Sequence, residues 1–343
     1  MKSTRILLAA AGLVLLGGLA YVAQRDGESS GVNMVNAAKD LVDSLKPEQK
    51  TQATFPFDSK ERTNWNFIPL QDKDRKSTRK GLPLEDMTPE QKKLALALVQ
   101  AGTSKMGGEA ARTIMSLEAI LKEQEKKGAM VRNPQWYFFT VFGTPSKTGK
   151  WGWRVEGHHL SLNFTMDGAD VIASTPTFFG ANPAEIKDGA RKGLRILAKA
   201  EDLAKDLFAS LDADQKKKAH QPKQFPEPGQ KTLKPDLGEP VGVAAADMSV
   251  KQKDILSKLL ESYTGRMPGD IAAEELKRVK DGGFEKIHFA FAGNPEKGQP
   301  HSYRVHGPLF VVEFLNTQAD SAGNPANHIH SAWRRTSGDF GIK

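Results

Sequence analysis

Lys39 to Ala53 reads KDLVDSLKPEQKTQA, and Lys205 to Ala219 reads KDLFASLDADQKKKA. Eight of these fifteen positions are identical at a constant offset of 166, and the similarity continues outward. At an offset of 161, Gly81, Asp86, Met87, Gln91 and Lys92 recur as Gly242, Asp247, Met248, Gln252 and Lys253. Thr103, Met106, Gly108 and Ala111 recur in the same way as Thr264, Met267, Gly269 and Ala272. At an offset of 150, Phe139, Gly143, Arg154, Val155, Gly157 and Phe164 recur as Phe289, Gly293, Arg304, Val305, Gly307 and Phe314. Three blocks in the same order, with the offset shrinking in two steps, read as one unit written twice with loops shortened in the second copy.

Each unit carries leucine at helical spacing, as in Leu41 and Leu45 or Leu207 and Leu211. Thr88 and Ser249 are good helix N-caps, and a third helix is expected over Arg112 to Lys127. Strands are expected at residues 136–142, 151–155, 159–165 and 171–174, and again at 287–292, 302–305, 309–315 and 327–333. The expected fold is therefore α+β: two internally duplicated helix-helix-strand halves packed into one compact body around a mixed or antiparallel sheet. The boundaries are 39–204 for the first unit and 205–343 for the second. The connectors Thr54 to Glu85 and His220 to Ala246 are long. Trp65, Phe67 and Ile68 mark the first as an ordered loop, and the prolines of the second suggest a plain link.

The first 23 residues have Lys2 and Arg5 ahead of an apolar run from Ile6 to Val22, with small residues near Ala23. This is the pattern of an export signal, or of an uncleaved N-terminal anchor, followed by a linker over residues 24–38. An extracytoplasmic location is expected, periplasmic or secreted, with membrane attachment only through that anchor. Removal of the segment lowers the net charge from +8 to +6, and nucleic acid is not an expected partner. The chain has no cysteine, so any metal must be held by its eight histidines and by carboxylates.

Positions that differ between the halves are the candidates for chemistry. The first half reads Gly157-His158-His159-Leu160-Ser161-Leu162-Asn163-Phe164. Strand alternation puts Leu160, Leu162 and Phe164 with His158 on a core face, and His159, Ser161 and Asn163 on a polar one. In the second half Glu313 stands where the first has Asn163, among Val311, Val312 and Phe314. A carboxylate there is costly unless it is paired, protonated or bound to a cation. Downstream, Asn327-His328-Ile329-His330 sets two imidazoles at i and i+2 on one strand face. His159, Glu313, His328 and His330 are thus the expected ligands of one divalent ion, Zn²⁺ first, with Cu²⁺, Ni²⁺ or Fe²⁺ compatible. Asn163, Gln318 and His158 are expected around them, with Asp339 in reserve.

The string RTNWNFIP, RKGLPLEDM, WGWRVEGHHLSLNFT, TPTFFGANPA, YRVHGPLFVVEFLNTQ and NHIHSAWR with its following DFG resembles the family called domain of unknown function 3500. The resemblance covers about Val35 to Gly341. It implies an often exported protein and supplies no mechanism.

Three functions follow as expectations. One is capture or delivery of a transition metal. Another is a metal-dependent hydrolase, with Glu313 or Asp339 as base and Arg62, Arg154 and Arg304 orienting a small anionic substrate. The third is a metal-free interaction module.

Overall fold

A computed structural model describes residues 28–126 and 128–342. The segment read as an export signal lies outside the described residues. In the first half the elements are α1 (Ser30–Ser44), α2 (Pro47–Ala53), β1 (Thr54–Phe55), β2 (Leu82–Pro83), α3 (Pro89–Ala101) and α4 (Lys105–Gln124). They are followed by β3 (Phe138–Phe142), β4 (Lys150–Gly157), β5 (Leu160–Asp167), β6 (Asp170–Ala173) and β7 (Thr177–Ala181). The second half runs α5 (Ala198–Ser210), α6 (Ala213–Ala219), β8 (His220–Gln221), β9 (Val243–Ala244), α7 (Val250–Thr264) and α8 (Gly269–Asp281). It ends with β10 (His288–Gly293), β11 (His301–His306), β12 (Val311–Gln318) and β13 (His328–Arg334).

The first helix starts at Ser30, so residues 30–38 are helical rather than linker. Its buried stripe of Met34, Val35, Ala38 and Leu41 extends the leucine spacing upstream. For the same reason α5 begins at Ala198, ahead of the expected boundary at 205, burying Ala200, Ala204 and Leu207. Pro47 divides the first quoted stretch into two helices, since proline fits the first turn of a helix but not its interior.

All thirteen strands of the described residues join one mixed sheet, in which β1-β3-β4-β5-β7-β13-β12-β11-β10-β8 form the main path. β1 pairs parallel with β3 as β8 does with β10, and β2 pairs antiparallel with β3 as β9 does with β10. The helix caps also correspond. Gln91 and Gln252 close capping boxes with Thr88 and Ser249 and donate to the carbonyls of Ser44 and Ser210 at 2.8 and 2.9 Å. The halves meet through β7 and β13, which pair antiparallel from Thr177↔Trp333 to Ala181↔Ile329. β7 was not expected from sequence, because its five residues, set between Pro176 and Pro183, offer too short a run for a period to show.

Alternation separates two faces. Trp153, Val155, Leu160, Leu162, Phe164, Phe179, Tyr303, Phe314 and Trp333 share the large core with the helices. Phe178 and Ala332, one residue out of phase with Phe179 and Trp333, pack instead against Trp65, Phe67 and Phe340. The second face is therefore covered by the first connector and the C-terminal segment. The second connector joins them: Gln230 accepts from the Phe67 amide at 3.0 Å, and the Thr232 carbonyl accepts from Arg334 at 3.0 Å. Residues 220–246 are thus a packed cover rather than a plain link.

Candidate metal centre

His158 and His159 form the two-residue turn between β4 and β5, whose last ladder pair is Gly157↔Leu160. His159 has φ 63°, the left-handed region that disfavours residues with a Cβ. Two backbone bonds hold it there: its amide donates to Phe67 O, and its carbonyl accepts from Gly180 N, both at 2.8 Å. Gly180 is the cross-strand partner of His330, and a Cβ on it would lie 3.0 Å from His159 Cδ2. Glycine at that position leaves room for the imidazole to lie over β7 towards β13.

His159 Nε2 consequently sits 2.8 Å from His328 Nε2 and 3.1 Å from His330 Nε2. The three ligand atoms all lie within 4.8 Å of one another. Around one ion with Zn–N of about 2.0–2.1 Å, tetrahedral ligands stand about 3.3 Å apart, which the two pairs through His159 match to within a few tenths of an ångström, while the third pair closes from at most 4.8 Å.

One far nitrogen has a fixed role: His330 Nδ1 lies 2.5 Å from Glu227 Oε2, and the carboxylate can only accept. The backbone of Ala319 adjoins the His328 ring and favours its protonated form slightly. His159 Nε2 thus faces two other ring nitrogens, and a neutral His159, with one ring proton, can serve at most one of them. Burial, followed by the neighbouring histidines, holds His159 well below the usual imidazole range and brings His328 down to about 3. Converging imidazole nitrogens, one of them on a ring oriented through Nδ1 by a carboxylate, are what a transition ion needs. His159 and His330 are buried while His328 is part-exposed, so solvent reaches the cluster on the His328 side.

The surrounding groups are partly those expected. The His158 ring stacks on His159 at 3.8 Å, and its Nδ1 contacts Glu118 and, at 3.2 Å, Arg132. Gln318 donates to Glu227 Oε1 at 3.0 Å, one bond removed from His330. Phe67 packs on His330 at 5.1 Å. Asn163 bonds Ser161 and the Pro176 carbonyl and does not face the imidazoles.

Glu313 and Asp339 stand apart from the histidines, and Arg154 and Arg304 hold buried pairs, the architectural role that their recurrence in both halves suggests, rather than the anion-orienting one. Glu313 is outside the histidine cluster. It accepts from Arg304 at 3.0 Å, its cross-strand partner, and burial raises its proton affinity. Asp339 accepts from Arg334 Nε at 2.7 Å and from the Arg335 amide at 3.0 Å. Both oxygens of Asp339 are engaged, and Glu313 lies on Arg304 away from the imidazoles with one oxygen unpartnered. Arg62 donates to the carbonyls of Phe57 and Phe340. Arg154 grips Glu61 at 2.6 Å, and Arg304 is taken by Glu313 and Leu237 O. All three arginines hold the connectors down rather than await an anion. Glu227, Gly180 and Ala319 are the contributors that sequence reasoning missed. A glutamate three residues before Gln230 in a proline-rich connector carries no periodic signal that could have found it.

Fold and cluster together define an α+β protein with a large mixed sheet and three histidines close enough to bind a metal. The chain belongs to the family described as protein of unknown function (DUF3500), whose model matches residues 28–342. No curated protein and no solved structure matches it. No described helix is long and apolar enough to cross a membrane.

Proposed function

We propose that the protein binds one divalent transition ion through His159, His328 and His330, and that its role is to capture or deliver that ion outside the cytoplasm. The observation that carries the reading is the convergence of three imidazole Nε2 atoms, 2.8 and 3.1 Å from His159 to the other two. Zn²⁺ suits three imidazoles best, and Cu²⁺, Ni²⁺ and Fe²⁺ share the preference for nitrogen. Glu227, on His330 Nδ1, orients that ring and raises its basicity. The N-terminal segment Met1 to Ala23 supports export. The matching cap and strand pairings support descent of the two halves from one duplicated unit.

A metal-dependent hydrolase is the second reading. What favours it is that the chain brings together three imidazoles and leaves His328 part-exposed, which matches catalytic sites that reserve the fourth position for water. Elemental analysis of purified protein, wild type against a variant carrying both His328→Ala and His330→Ala, tests the ion. Near-stoichiometric metal lost in the variant is the expected result, and negligible metal in both ends the proposal. A cobalt-substituted protein separates the readings. Its visible spectrum should respond to added small anions if the fourth position is open, and stay unchanged if the protein closes it.

A further inference from the structure

Five arginines are buried among the described residues: Arg79, Arg154, Arg266, Arg304 and Arg334. Four of them meet a carboxylate, at 2.6 Å for Arg79–Glu156, 2.6 Å for Arg154–Glu61, 3.0 Å for Arg304–Glu313 and 2.7 Å for Arg334–Asp339. Arg266 does not. It follows α7 at the turn into α8 and is 7% exposed. Its guanidinium lies 4.7 Å from the Tyr263 ring centre and 5.3 Å from that of Phe179. Among the described residues no side chain or carbonyl accepts from it.

The hydroxyls nearby are committed to one another. Ser331 donates to Tyr263 at 3.1 Å, Tyr263 and Tyr303 share a bond of 2.6 Å, and Tyr303 donates to the Ala200 carbonyl at 3.1 Å. No carboxylate acts on Arg266, and burial lowers its proton affinity. The aromatic rings recover part of the lost hydration, but they leave its N–H donors without an acceptor among the described residues. The corresponding position in the first half, at the 161 offset, is the exposed Lys105, and Gly102 stands where the second half has Tyr263. A buried, ring-stacked cation is thus peculiar to the second half.

We infer that Arg266 is a binding site for a small oxyanion, a carboxylate or a phosphate, held by the edge of a guanidinium stacked between Tyr263 and Phe179. This is independent of the metal reading, since Arg266 touches none of the three histidines. A planar fork fits either oxyanion in bidentate fashion.

The test is thermal unfolding of the whole protein in sodium phosphate and in sodium acetate, each against sodium chloride at matched ionic strength. The wild type should gain melting temperature from one of the two oxyanions, with an equal increment for each tenfold rise in concentration above the midpoint, as one-site binding requires. Which salt acts identifies the oxyanion. Arg266→Met should lose this response and, without oxyanion, melt above the wild type, because an unpaired buried cation has been replaced by an apolar chain. A wild-type response no greater than in chloride overturns the inference, and so does an equal response in Arg266→Met. If that variant does not fold, the wild-type comparison with chloride decides alone.

Discussion

On the connector-covered face of the sheet, Arg154, Arg304 and Arg334 each close on a carboxylate, whereas three imidazoles turn their Nε2 atoms on one another, with a carboxylate only behind His330. Both regions are buried and polar, and both tie connectors to strands. The Arg334–Asp339 pair is complete: both are fully buried side chains at 2.7 Å, with the remaining guanidinium donors used by Gly229 and Thr232, whereas Arg304 Nε and Glu313 Oε2 are left without a partner. The imidazole cluster brings three ring nitrogens together with no carboxylate among them in the described residues. Three converging imidazole nitrogens are the donor set that a transition ion takes.

The comparison breaks most visibly if a carboxylate is removed from the complete side. Asp339→Ala strands a buried guanidinium and should cost about 3–5 kcal/mol in denaturant unfolding, with metal stoichiometry in the folded fraction unchanged. Loss of metal with retained stability would mean that Asp339 belongs to the cluster after all.

On the incomplete side, Glu227→Gln keeps the shape of the contact to His330 and removes its charge. Metal affinity should fall about 10–100-fold, measured by competition with a chelator. No change would show that the connector covers the site without tuning it.

Acid sharpens the contrast further. An unfolded His328 takes up its proton near 6.5, the folded one only near 3, so the unfolded state binds more protons between these values. Stability of the metal-free protein is therefore full above 6.5 and falls as pH drops through that window. The loss is about 1.4 kcal/mol at pH 5.5 from His328 alone. His328→Ala should flatten that slope.

The smallest effect concerns the turn. His159→Gly removes a ligand and relieves the left-handed backbone, so metal is lost while the metal-free variant stays at least as stable as the metal-free wild type, to within about 1 kcal/mol. A large loss of metal-free stability would mean that His159 is there for packing.

Much of this was legible in the residues. The i, i+2 spacing of His328 and His330 on β13 survives folding, and Leu160, Leu162 and Phe164 take the helix-covered face as alternation requires. His159 reaches the site by a different route, from a left-handed turn rather than from a regular strand position, and no periodicity encodes that. The expense of burying Glu313 was readable, but its remedy was not: Arg304 lies directly across the ladder, and cross-strand register is set by pairing, not by local pattern. β7 was too short to announce itself, although it joins the halves and brings Gly180 beneath His159. Glu227 sits in a segment whose prolines read as a linker, and only the packing of that segment on the sheet gives it a partner.

The claim that the three imidazoles are an ion site is tested most directly by calorimetric titration of Zn²⁺ into metal-stripped wild-type protein and into the His328→Ala, His330→Ala variant. One ion per chain, bound with proton-independent stoichiometry near neutral pH and lost in the variant, is the predicted result. Heats of dilution alone in the wild type, or an identical isotherm in the variant, would contradict it.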